Sequence, residues 1–116
     1  FLLADVGGVA ITENEGNARL TVGLPKIHIA IMGIEKVLPK MSDLALFLPM
    51  LATAGAGQAL TGYNTLISGP RQEGESDGPD ELHVVLLDNG RTQLLSDPEQ
   101  RDALSCIRCG ACLNVC

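Results

Sequence analysis

Two stretches of the chain are apolar at almost every position: Ile27-His28-Ile29-Ala30-Ile31-Met32, broken only by His28, and Leu82-His83-Val84-Val85-Leu86-Leu87, broken only by His83. Runs of this length and β-branched content predict strands covered on both faces, because a half-exposed strand alternates apolar with polar. Each is punctuated in the expected way, the first by Gly33 and the second by the turn signal Asp88-Asn89-Gly90. Tyr63 to Ser68 is a third strand candidate, closed by Gly69-Pro70, and Ile34 to Leu38 reads as a short extended stretch ending at Pro39. Nearer the start, Val9-Ala10-Ile11-Thr12 and Arg19-Leu20-Thr21-Val22 flank Glu13-Asn14-Glu15-Gly16-Asn17, a pattern that predicts a hairpin-like connection.

Helical signals are fewer. Ser42-Asp43 offers a capping hydroxyl and an acid favoured by the helix dipole. Leu44, Leu46, Phe47, Leu48, Met50 and Leu51 then place apolar groups nearly all round, predicting a largely buried helix, kinked or restarted at Pro49 and ended by Gly55 or Gly57. Asp97-Pro98-Glu99-Gln100 predicts a second helix start, with Pro98 at the first helical position and Gln100 completing a capping box, carrying Arg101 to Ser105 into the final segment. Between these elements, Gln72 to Asp80 is rich in Gly, Ser, Pro and acid, and is the segment predicted to be disordered. Strands alternating with helices predict an α/β layered architecture.

The 116 residues, 46% of them hydrophobic, suffice for one packed domain with a short appendage. Phe1, Phe47 and Tyr63 are the only aromatic residues, so the core is aliphatic and base-stacking chemistry has no support. A net charge of −6 with no basic cluster excludes nucleic acid as an expected partner. Leu44 to Ala56, the longest apolar run, is interrupted by Pro49 and falls short of the ~20 residues of a membrane-spanning helix. A start at Phe1 and a stop at Cys116 within a motif lead us to expect a longer parent polypeptide.

All four cysteines fall in the closing segment Cys106-Ile107-Arg108-Cys109-Gly110-Ala111-Cys112-Leu113-Asn114-Val115-Cys116, spaced C-x2-C-x2-C-x3-C. A cubane iron–sulfur cluster needs several thiolates converging on one small object, and two-residue gaps let a tightly turning loop present successive sulfurs. This is the spacing of bacterial-type ferredoxin segments, in which the first three cysteines bind one [4Fe–4S] cluster and the fourth ligates the other, so Cys106, Cys109 and Cys112 are expected to share one cluster and Cys116 to serve a second. Ile107, Ala111, Leu113 and Val115 are expected to shield the sulfurs, and the charge of Arg108 to favour the reduced state. A structural zinc site usually separates two C-x2-C knuckles by a longer loop, so a zinc-stabilised interaction domain fits less well. Disulfides crowded at one end would not staple the remaining domain.

Elsewhere the residues are less specific. His28 and His83 read as buried core histidines, Glu13 to Asn17 as a solvated turn able to line a polar pocket, and Glu35-Lys36 as an exposed pair. No dinucleotide fingerprint, phosphate-binding P-loop or serine elbow occurs.

Taken together, Glu13 to Leu20, Leu24 to Lys36, Ser68-Gly69-Pro70-Arg71, Asp77-Gly78-Pro79 through Arg91, and Cys106 to Cys116 resemble the LutB family, the iron–sulfur subunits of the bacterial lactate utilization system. The resemblance implies that residues 1–90 are the later part of a lactate-utilization (LUD) domain. Its α/β fold would be similar to the sugar-phosphate isomerase and CoA-transferase class. Residues 91–116 would be a linker helix and the start of a ferredoxin-like 4Fe–4S segment. It further implies a cytoplasmic electron-transfer component with two partner subunits, active in L-lactate oxidation to pyruvate, with two [4Fe–4S] clusters in the parent protein and the electron acceptor unspecified. The four cysteines map onto the cluster ligands as above. The alternative reading is a module that binds a small organic acid or senses redox state. A half-sheet with an uncovered edge is expected to self-associate.

Overall fold

The computed structural model describes residues 1–116 and mixes strands with helices, as an α/β chain should. In chain order the elements are β1 (Leu2–Leu3), β2 (Gly8–Glu13), α1 (Asn17–Gly23), β3 (Ile27–Gly33), β4 (Val37–Leu38), α2 (Leu44–Ala56), β5 (Tyr63–Ile67), β6 (Glu81–Leu87), α3 (Arg91–Ser96) and α4 (Ala111–Val115). Short 3-10 turns occupy Ile34–Lys36, Met41–Asp43 and Arg101–Ser105. No helix is long and apolar enough to cross a membrane.

Two sheets form. The first has the order β4-β1-β2-β5; β2 pairs antiparallel with both β1 and β5, from Val9 opposite Ile67 to Glu13 opposite Tyr63. The second is a parallel pair in which Ile27 to Gly33 of β3 lie beside Glu81 to Leu87 of β6. The sheets meet where Val9, Val22 and Ile67 form a buried cluster, with Leu2, Ile11, Met32, Leu82 and Val84 packed against it. Burying an aliphatic side chain of this size contributes about 1.5–3 kcal/mol, so this cluster is the main link between the layers.

The expected hairpin is instead a strand followed by a helix. Gly16, at φ 82°, turns the chain into α1, and the Glu13 carboxylate accepts hydrogen bonds from the Ala18 and Arg19 amides at 2.8 and 2.6 Å. Those donors belong to the first helical turn and have no partner inside the helix. The alternation in Arg19-Leu20-Thr21-Val22 therefore serves one buried helical residue, Val22, and not a strand.

The two apolar strands exist as expected, yet only one face is covered. Ile27, Ile29 and Ile31 are 53%, 57% and 68% exposed, while the alternate positions face the core cluster. His83 shares the open face and pairs with Glu81 at 3.0 Å, so it is not the buried histidine expected. His28 lies on the opposite face, and its Nδ1 is buried without a hydrogen-bond partner. Helix α2 departs in the same direction: only Ala52 is buried and Leu46 is 62% exposed, because the chain supplies no layer to pack on it. The helix runs through Pro49 and ends where Gly57 takes a left-handed conformation, donating to the Ala52 and Thr53 carbonyls.

The acidic Gly/Pro segment is organised where disorder was expected. Its backbone bonds from Arg71 to Pro79, from Gly78 to Gly23 and from Asp80 to Lys26 at 2.7, 3.1 and 2.7 Å. Arg19 pairs with Asp77, Arg71 pairs with Asp80 at 2.6 Å, and Pro79 is buried. The segment is a strap across the end of α1. Farther on, α3 was not anticipated: Asp88 accepts from the Thr92 amide and hydroxyl at 2.8 and 2.9 Å and starts it. Asp97 takes hydrogen bonds from the Glu99 amide and the Gln100 side chain at 2.9 and 2.8 Å, and starts only the Arg101–Ser105 turn.

Candidate metal-ligating segment and the strand ends beneath it

Residues 106–116 are tied back to the domain at two places. The Lys36 ammonium donates to the Cys106 carbonyl at 2.7 Å, and the Asn114 amide donates to the Ala54 carbonyl at 2.8 Å. Beside the second contact, the Cys109 carbonyl lies 3.6 Å from where a side chain on Gly55 would begin. Within the segment, Arg108 and Gly110 both adopt positive φ, 62° and 80°, and α4 follows. The left-handed region is costly for arginine, so the chain reverses at Arg108 against local preference.

All four thiols are free; Cys106, Cys112 and Cys116 are exposed and Cys109 is half-buried. Soft thiolate donors in this number and spacing suit an iron–sulfur cluster. The structure does not draw them together: no three His, Cys, Asp or Glu side chains are grouped so as to hold a metal ion. Leu113 and Val115 are 82% and 87% exposed and so do not form the expected apolar shield.

What lies under Cys106 is the carboxyl end of the parallel pair, where crevices outside the strand ends commonly bind ligands in open α/β sheets. β3 ends at Gly33 and β6 at Leu87, and the residues just beyond them, Glu35 and Arg91, form an ion pair at 2.5 Å with side chains only 11% and 20% exposed. Glu35 is therefore not half of an exposed pair with Lys36, as the sequence suggested. Burial pushes its carboxyl up, but its own backbone amide and the Arg91 guanidinium outweigh that and leave it below the ordinary value. Arg91 also donates to the Asp88 carbonyl at 3.0 Å. Asp88 in turn is held below the ordinary value by the Thr92 amide and hydroxyl.

Gly33 is the residue that allows this arrangement. A side chain there would begin well inside van der Waals contact of Glu35 Oε2 and Arg91 Nε. In the sequence Gly33 reads as a strand terminator, and Arg91 stands out only as the end of a segment that carries the family resemblance. Their shared role follows from pairing two segments far apart in the chain, and only the bare pattern of a strand end followed by glycine or charge hinted at it.

The other singled-out residues are structural. Glu13 caps α1, Asn14 accepts from the Gly62 amide at 2.9 Å, and Gly16 packs against the Tyr63 ring.

Comparison with known proteins adds a family. Residues 1–87 match the family described as LUD domain. Over the whole chain there is 50% identity to the Escherichia coli protein named "Uncharacterized electron transport protein YkgF", of which the chain spans 24%. Identity to the proteins named "Lactate utilization protein B" is 48% in Bacillus velezensis and 47% in Bacillus subtilis, again over the whole chain and 24% of each relative. The chain thus spans about a quarter of the length of these relatives. No solved structure matches.

Proposed function

The chain belongs to the LUD domain family, and from that premise we propose that it is part of an iron–sulfur electron-transfer component that works in the oxidation of L-lactate to pyruvate. The observation that carries this reading is the coincidence, in one chain, of end-to-end similarity to proteins named for lactate utilization and for electron transport with a terminal C-x2-C-x2-C-x3-C run.

In this reading residues 1–90 form the LUD-type part and residues 91–116 lead into a ferredoxin-like segment. Cys106, Cys109 and Cys112 would hold one [4Fe–4S] cluster and Cys116 would serve a second. When bound, such clusters carry single electrons, and the protein contributes position and electrostatics. Lys36 and Asn114 fix the segment on the domain through backbone carbonyls, leaving the thiols free to turn inward. Arg108 places positive charge between the first two ligands and so favours the more negative, reduced state. The protein would act in the cytoplasm with two other subunits of the system and pass electrons to a further acceptor.

The test uses the complete protein purified without air. Iron and sulfide in cluster stoichiometry, with a reducible EPR signal that L-lactate elicits when the partner subunits are present, is the expected result. Stoichiometric zinc without iron rejects the reading.

A further inference from the structure

A cavity of about 620 Å³, within the size range of small-molecule sites, lies where the strap passes the end of β5 and the flank of α1. It shares no residue with the cysteine segment or with the Glu35–Arg91 corner. Val22, Leu66 and Ile67 give it one aliphatic side, no aromatic ring reaches it, and most of the remaining wall is polar. The charges there cancel: the guanidiniums of Arg19 and Arg71 are matched by the carboxylates of Glu75 and Asp77. Arg19 pairs with Asp77, and Arg71 with Asp80, through one guanidinium nitrogen each, and all four side chains remain about half accessible. Each arginine therefore keeps N–H donors, and each carboxylate keeps lone pairs, that are open to a ligand. Gln72 donates its side-chain N–H to the Pro70 carbonyl at 2.9 Å, which leaves its amide oxygen as an acceptor, and Ser68 and Ser76 add hydroxyls.

From this balance we infer that the cavity binds a small neutral polyol of monosaccharide size. An anion would gain from the two arginines and lose as much to Glu75 and Asp77, and a cation the reverse. An apolar molecule would strip water from charged groups and return no hydrogen bond. A nucleobase would find no ring to stack on. Hydroxyl groups meet the requirement, because each donates one hydrogen bond and accepts others, so neighbouring hydroxyls give to Asp77 or Glu75 while taking from Arg19 or Arg71. The C–H face of the same ligand lies against Val22, Leu66 and Ile67. The strap supplies Gln72, Glu75, Ser76 and Asp77 to this wall, so a bound polyol also ties the strap to α1 and β5.

Calorimetric titration of the complete protein with D-ribose, D-glucose, sodium propionate and inorganic phosphate tests it. At least one of the two sugars should bind saturably and more tightly than either anion, and should slow proteolytic cutting of residues 71–80. Asp77→Asn, which exchanges a charged acceptor for a neutral one, should weaken that binding about tenfold. Because this variant also loosens the strap, Gly69→Leu provides a second approach. Apart from its chain neighbours, no atom lies within 4 Å of where a side chain on Gly69 would begin, so the leucine fills the cavity without straining the fold and should abolish binding. No saturable binding of either sugar, binding of an anion as tight or tighter, or sugar binding that neither variant weakens overturns the inference. The cysteines take no part, so the iron content of the same preparation bears on the electron-transfer reading alone.

Discussion

Arg91 Nε lies 2.5 Å from Glu35 Oε2 across the bare backbone of Gly33, so that one ion pair spans the ends of two strands that are distant in sequence. Gly33→Ala would force the pair apart. Both side chains are largely enclosed and have little room to swing, and overpacking of this kind costs about 1–3 kcal/mol. Urea denaturation should show that loss, and an unchanged midpoint would mean that the pair is more pliant than its enclosure suggests.

Acid should loosen the same corner. Glu35 and Asp88 are both held below their ordinary values in the folded chain. A lowered carboxylate contributes stability that is present above its unfolded pKa, roughly 4 for these residue types, and lost as pH falls through the lower folded value. Through these two carboxylates, denaturation midpoints should fall as pH drops below about 5. Glu35→Gln should shrink the acid decline, and a variant that retains the full slope would show that other carboxylates control it.

The strap over α1 depends on contacts that are mostly exposed. Arg19 and Asp77 are each about half accessible, so Asp77→Asn should cost no more than about 1 kcal/mol in overall stability. Its effect should be local: limited proteolysis should cut residues 71–80 faster in the variant. Equal cutting of both proteins would show that Pro79 and the backbone bonds hold the strap without the ion pair.

Ile27, Ile29 and Ile31 form an apolar strip on an open sheet face, and a strip of this kind invites association. The 116-residue chain should scatter light as an oligomer, and Ile29→Lys should shift it toward monomer. If the variant associates as strongly as the parent, the contact lies elsewhere, with α2 the next candidate.

In the complete protein, Cys109→Ser should lower iron content and electron transfer while circular dichroism stays unchanged, since the half-buried Cys109 side chain contributes little to the fold. Iron content equal to wild type would remove Cys109 from the ligand set.

The sequence made the apolar strands legible because period and turn chemistry agree there: Gly33 and Asp88-Asn89-Gly90 stop β3 and β6 where expected. It misled at Arg19-Leu20-Thr21-Val22, where a two-residue alternation hid a helix whose start depends on the Glu13 carboxylate reaching forward to the Ala18 and Arg19 amides. It also misled on coverage. An apolar strand or helix reports what the complete fold buries, and β3 and α2 remain open here because this chain holds no layer that covers them. The cysteine spacing was legible as chemistry, whereas its placement over the Glu35–Arg91 pair was not, because Lys36 and Cys106 meet only through tertiary structure. The glycine-rich acidic strap shows the same limit: composition suggested looseness, and long-range bonds to Gly23 and Lys26 decided otherwise.

The parallel register of β3 with β6 also sets an order of events. Residue 27 meets residue 81, so a ribosome must add 54 further residues after the first strand begins before its neighbour exists. Closing so long a loop is entropically expensive, and nonlocal pairings of this type slow the search for the native state. During that interval the nascent Ile27 to Met32 segment lacks the strand it pairs with, which makes it a point at which a growing polypeptide is exposed to misassociation.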